Sequence, residues 1–242
     1  MKISKSKAAL IIIPAAVIVC LLAAFFIYTS FYYRADSTAL QALVSDERVT
    51  VTQTDYGWFF DGSSEENALM FYPGAKVEET AYAPFLRKLA ENGMDVCLVK
   101  MPFHLALFGE FRATFVMEQY DYDHWYIGGH SLGGSMAANY VASQDGTVEG
   151  LVLCASYPVK KINDDITEIM IYGSEDKVLN MKRLEESRKL APEGFTEYII
   201  EGGNHAGFGN YGAQDGDGAA SISPEMQQDE AVEVILRELN TV

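Results

Sequence analysis

Apolar residues along this chain follow two patterns, one continuous and one interrupted. The continuous one comes first: Ala8 to Ile27 is a run of 20 residues without a charge, about the length a helix needs to cross the hydrocarbon core of a bilayer. After it the apolar blocks are short. Thr50 to Thr54 and Trp58 to Phe60 flank Asp55-Tyr56-Gly57 and predict a hairpin. Ala68 to Tyr72, Val96 to Val99, Trp125 to Gly128, Leu151 to Cys154, Ile169 to Tyr172 and Tyr198 to Ile200 are apolar runs of strand length. Helical periodicity separates many of them. Tyr82, Phe85, Leu86 and Leu89 recur at i, i+3, i+4 and i+7 before Asn92-Gly93 stops the pattern. Further helices are expected over Leu105 to Glu118, Leu132 to Ala142 and Met181 to Leu190. The last helix has Ser223 as its N-cap, Pro224 at its first position, and a stripe of Ala231, Val232, Ile235, Leu236 and Leu239.

Strands alternating with helices predict a mostly parallel sheet covered on both faces. Ligands in such sheets bind beyond the carboxyl ends of the strands. The loops after Tyr72, Val99, Gly128, Cys154, Tyr172 and Ile200 are therefore where chemistry is expected.

Composition narrows the picture further. With 242 residues, 49% hydrophobic and 21% charged, the chain can build one large core plus an appendage. A formal net charge of -16 repels a polyanion, so no nucleic acid partner is expected. Lys2, Lys5 and Lys7 precede the long apolar run, and Tyr28, Tyr32 and Tyr33 follow it. That arrangement fits an uncleaved single-pass anchor with a cytoplasmic N-terminus and the rest of the chain outside the cytoplasm. Pro14 is tolerated in such a helix. The alternative is a cleaved signal peptide and a secreted protein, for which Ser37-Thr38-Ala39 is the candidate site, well past the apolar run. The expected organisation is a stub and anchor over 1–34, a linker over 35–48 and one domain over 49–242.

Gly129-His130-Ser131-Leu132-Gly133 fits G-x-S-x-G between a predicted strand and a helix, the setting of a nucleophile elbow. Ser131 is the candidate nucleophile, and a serine hydroxyl needs a base whose tautomer is fixed by an acid. Of the four histidines, His205 follows the last strand at the correct edge. His130 adjoins Ser131 and should pack beneath the turn, and His124 stands at the far end of its strand. Asp176 follows the strand ending near Tyr172 and is the candidate acid, with Glu175 its main rival and Asp164 and Asp165 weaker ones. The order Ser131, Asp176, His205 is the one expected when an elbow serine leads. Asp215-Gly-Asp217-Gly218 lacks the further carboxylates of a calcium loop and is read as a turn. No metal and no cofactor are expected.

The segments GHSLGG, YGSEDKV and GGNHAGFG, with the order of elements, resemble the α/β-hydrolase superfamily, in particular its small dienelactone-hydrolase-like members, from about Val49 to Leu239. The resemblance implies an α/β-hydrolase fold of about seven to eight strands. It also implies that Phe71-Tyr72-Pro73-Gly74-Ala75-Lys76 is the oxyanion loop, although Pro73-Gly74 stands where His-Gly is frequent. The oxyanion donors would be the backbone N–H groups of Leu132 and Ala75. His104, in the loop Met101 to His104, and Lys76 are candidates for substrate contact, and packing beside the site is the equal alternative for that loop. The family's strand order puts the strands of Cys97 and Cys154 three spacings apart, about 14 Å, too far for a disulfide. The short stretch ASYPVKKINDDITE leaves no room for a substantial lid, which favours a small or exposed ester, thioester or lactone. The expected activity is hydrolysis through an acyl-enzyme. Acyl transfer at the same site and a catalytically silent binding module are the alternatives.

Overall fold

The computed structural model describes residues 5–144 and 146–239, with side chains from residue 13 onward. Lys2, used above for orientation, lies outside them. The chain divides into two compact units, the first ending at Tyr32 and the second starting at Tyr33. The first is helix α1, Lys5–Ser30, with Pro14 inside it. Its segment Ile13–Ser30 has a mean hydropathy of 2.2 and is only 6% buried, so by length and composition it fits a membrane anchor or a signal sequence.

The second unit opens with a short helix α2, Ser37–Gln41. Residues 35–48, expected as a linker, are folded into this unit. Asp36 caps α2 by accepting from the Ala39 N–H, Ala39 is buried, and Ala42 and Leu43 pack on the core.

The hairpin follows as β1 (Thr50–Thr54) and β2 (Gly57–Asp61). Then come β3 (Asn67–Tyr72), α3 (Ala83–Glu91), β4 (Asp95–Val99), α4 (Arg112–Met117), β5 (His124–His130) and α5 (Leu132–Val141). The chain finishes with β6 (Gly150–Cys154), β7 (Thr167–Gly173), α6 (Met181–Ser187), β8 (Thr196–Ile200) and α7 (Pro224–Glu238). The strands form one sheet in the order β1-β2-β4-β3-β5-β6-β7-β8. The hairpin is antiparallel, both within itself and to β4, and every other pair is parallel.

Central strands read as continuous apolar runs because both of their faces are covered. In β3, Leu69 and Phe71 enter the core shared with Phe85, Leu86 and Leu89 of α3 and Ala231 and Ile235 of α7. Ala68, Met70 and Tyr72 enter the opposite core, shared with Met136, Ala137 and Tyr140 of α5. The same alternation separates the cysteines: Cys97 belongs to the second core and Cys154 to the first, and both are free.

One expected element is not there as such. Leu105 to Glu118 holds a single 3₁₀ turn, Ala106–Phe108, followed by the short α4. Leu105 is extended, Gly109 leaves the helical region at φ -139° and ψ 20°, and no side chain caps α4, so a helix does not run through. The connection between β6 and β7 contains no helix, in keeping with the absence of a lid.

Candidate active site

Three loops at the carboxyl edge of the sheet converge on Ser131. The residue sits between β5 and α5 with φ 54° and ψ -121°, a conformation few residues adopt without external support. Here the support is visible. Ser131 N–H extends the strand ladder to the Cys154 carbonyl (2.9 Å), and Ser156 Oγ donates to the Ser131 carbonyl (2.8 Å). Ser156 in turn meets Ser135 Oγ at 3.0 Å. The flanking glycines are there because nothing larger fits: a Cβ on Gly129 would lie 2.6 Å from the Tyr72 carbonyl oxygen, and one on Gly133 would lie 2.5 Å from that of Pro73. The elbow is thus packed directly against the end of β3.

His205 follows β8 and is 2% exposed, so it is no mobile surface histidine. Its Nδ1 meets Asp176 Oδ2 at 2.8 Å. The other oxygen, Asp176 Oδ1, accepts from the backbone N–H groups of Val178 and Leu179, both at 2.8 Å. A carboxylate held by two amides has one orientation left. Glu175 makes no such contact with the imidazole; its N–H is tied to the Gly203 carbonyl. With Asp176 accepting at Nδ1, the neutral form of the ring is the tautomer that presents Nε2 as its acceptor. Ser131, Leu132, Ser156, Leu179 and His205 line one cleft of about 230 Å³. Among the described residues Ser131 Oγ and the imidazole share that cleft without a hydrogen bond between them, as is common in sites without substrate.

The remaining candidates fall around this cleft. Leu132 is the first residue of α5, and its N–H, like that of Ala75, donates to no other described residue. Gly74 N–H is occupied by the Tyr82 hydroxyl (3.0 Å), which removes it from the donor set. Lys76 N–H donates to the His104 carbonyl (2.8 Å), joining the two loops through their backbones, and neither side chain lines the cleft. Burial lowers the pKa of His104. His124 is half-buried at the opposite edge and pairs with Glu149.

His130 is fully buried in a directional chain. Its Nε2 must donate, because its partner is the His205 carbonyl (3.0 Å). Its Nδ1 therefore accepts from Tyr82 OH (2.8 Å), which itself accepts from Gly74 N–H. Burial, then the neighbouring His205, drives the pKa of His130 well below the ordinary value, so the ring is neutral. This chain ties the loop after β3 to the loop after β8 beneath the serine.

Sequence reasoning did not find Tyr82, Ser156 or Asp217. Asp217 lies in the expected turn, yet its Oδ1 accepts from His205 N–H (3.3 Å) and its Oδ2 from Ala206 N–H (2.9 Å). Its contacts are all to backbone amides, and no spacing motif announces that. Tyr82 carried a usable signal: a hydroxyl on a core-facing helical position must find a partner.

The comparisons with known proteins agree with this architecture. No curated protein matches the chain in sequence. It folds like bacterial heroin esterase (14% identity, 84% of this chain and 88% of that one, TM-score 0.55). It also folds like a soluble variant of monoglyceride lipase from Saccharomyces cerevisiae (10% identity, 82% and 96%, TM-score 0.56). Alpha/beta hydrolase domain-containing protein 10 from mouse is a third such structure (8% identity, 79% and 98%, TM-score 0.56). At these identities the likeness is one of fold. Residues 68–229 match the model of the Alpha/beta hydrolase family, a span reaching from β3 into α7 and including Ser131, Asp176 and His205. The chain is an enzyme of the Alpha/beta hydrolase family.

Proposed function

We propose that this hydrolase is a membrane-anchored serine esterase of the small dienelactone-hydrolase-like kind, acting on a small or exposed ester, thioester or lactone. The observation that carries the reading is the 2.8 Å contact between His205 Nδ1 and Asp176 Oδ2 at a cleft that Ser131 and His205 both line. Ser131 Oγ attacks the acyl carbon while Nε2 of His205 takes its proton. Asp176 keeps the Nδ1–H tautomer and stabilises the imidazolium that forms. The carbonyl oxygen, becoming an oxyanion, receives the N–H groups of Leu132 and Ala75, neither of which donates to another described residue. His205 then protonates the leaving group. Water, deprotonated by the same nitrogen, releases the acid and restores the serine. In this reading α1 is an uncleaved anchor, supported by the hydropathy of Ile13–Ser30 and by the lysines before the apolar run, and the enzyme domain faces away from the cytoplasm.

A fluorophosphonate probe, which phosphonylates an activated serine, tests the assignment. The unsubstituted chain should label and Ser131→Ala should not. A correctly folded chain that fails to label sinks the hydrolase mechanism, and labelling of Ser131→Ala sinks the choice of nucleophile.

A further inference from the structure

The segment after β4 is fixed on its inner side and apolar on its outer side. Inside, Tyr72 OH donates to the Glu110 carbonyl (2.8 Å) and accepts from Ala113 N–H (3.0 Å), while Ala113 and Val116 are buried. Outside, Leu107, Phe108, Phe111 and Phe115 are each 50–60% exposed within nine residues of chain. They surround a cleft of about 590 Å³ whose polar rim is Asp55, Glu110 and Arg112. A rimmed apolar patch on an ordered segment marks an interaction surface rather than a loosely packed core.

Its place in the fold says which surface. Only Phe31 and Tyr32 separate the end of α1 at Ser30 from Tyr33, the first residue of the folded unit. Tyr33 N–H donates to the Lys76 carbonyl (2.7 Å), and Lys76 N–H donates to the His104 carbonyl (2.8 Å) at the start of the same segment. Tyr33, where the folded unit begins, is thus two hydrogen bonds from His104, which stands three residues before Leu107 in the chain. A connection of two residues spans about 10 Å at most, which gives the bilayer surface a far higher effective concentration than any soluble partner. The net charge of -16 disfavours both a second copy and an anionic surface.

We propose that Leu107, Phe108, Phe111 and Phe115 seat the domain on the bilayer that α1 spans, inserted at the boundary between headgroups and acyl chains of zwitterionic lipid. The proposal rests on reading α1 as an uncleaved anchor.

The test uses the full chain in phosphatidylcholine vesicles, with and without bromines on the acyl chains near the headgroup. Leu107→Trp and Phe115→Trp place a reporter in the patch, and Met226→Trp places one on α7 at comparable exposure outside it. Added emission is read above that of Trp58 and Trp125, in variants whose circular dichroism matches the parent. Brominated lipid should quench the emission added at 107 and 115 about twofold and leave that at 226 unchanged, with no dependence on added anionic lipid. Equal quenching at all three positions overturns the docking. So does unquenched emission from 107 and 115, and a blue shift in that case marks a second copy as the occupant. Alkaline carbonate extraction separates the two readings: release of the chain overturns anchor and docking together, whereas retention without selective quenching overturns the docking alone.

Discussion

Asp217 holds the backbone of His205 without touching its ring. Four backbone amides, those of Lys177, His205, Ala206 and Gly218, donate to its carboxylate, so its removal should shift the imidazole and the loops around it rather than unfold the domain. Asp217→Ala is expected to lower kcat on a p-nitrophenyl ester about 10- to 100-fold, the scale of loss that a small misplacement of a catalytic group produces. Asp217→Asn keeps an acceptor oxygen and should recover part of it. Equal losses in both variants would mean that charge, not position, is what Asp217 supplies. Glu168 is a different case. It is 1% exposed on β7, neither oxygen has a hydrogen-bond partner among the described residues, and burial pushes its pKa up to about 7. Because the folded chain then holds a proton that the unfolded chain loses near 4.5, stability is full below that pH and declines as pH rises to about 7. The decline amounts to about 3 kcal/mol. Urea unfolding of the detergent-solubilised chain should show this slope, and Glu168→Gln should flatten it. A slope unchanged in Glu168→Gln assigns the titration elsewhere.

Elements were legible from the sequence where burial and polarity coincide. β3, β5 and β6 announced themselves because their apolar side chains alternate between one core and the other. Ser131, Asp176 and His205 could be placed because each follows such a strand at the same sheet edge. The segment from Leu105 to Glu118 misled because its apolar residues point both ways: Ala113 and Val116 inward, Leu107, Phe111 and Phe115 outward. Residues 35–48 misled in the opposite sense, since the short helix buries a single alanine and shows no apolar periodicity. The helix-free connection between β6 and β7 bears on specificity. With no helix in that connection to roof the cleft of about 230 Å³, acetate and butyrate esters should exceed laurate esters in kcat/KM by about tenfold. A p-nitrophenyl ester series measures this, and a preference for laurate would show that some other surface encloses the acyl chain.

At the scale of the molecule, the sheet is what brings the site together. Ser131, Asp176 and His205 come from loops after β5, β7 and β8, and in the sheet β6 lies between β5 and β7. Parallel neighbours meet only after a crossover connection, so these contacts are long in sequence and form late relative to local turns. Charge distribution, by contrast, plays no part in that assembly: a net charge of -16 speaks to partners and solubility, not to which strand lies beside which.

The conformation of Ser131 has a practical corollary. A serine at φ 54° is not stable by itself; it is kept there by the Cys154 carbonyl on β6, by Ser156 just beyond it, and by the tight approach of Gly129 and Gly133 to the end of β3. A molecule in which β6 has come away from β5 keeps the hydroxyl but loses the elbow. Under the proposed mechanism, the fraction of a preparation that reacts with a serine-directed probe is therefore a census of native molecules, a way to count folded enzyme before its natural substrate is in hand.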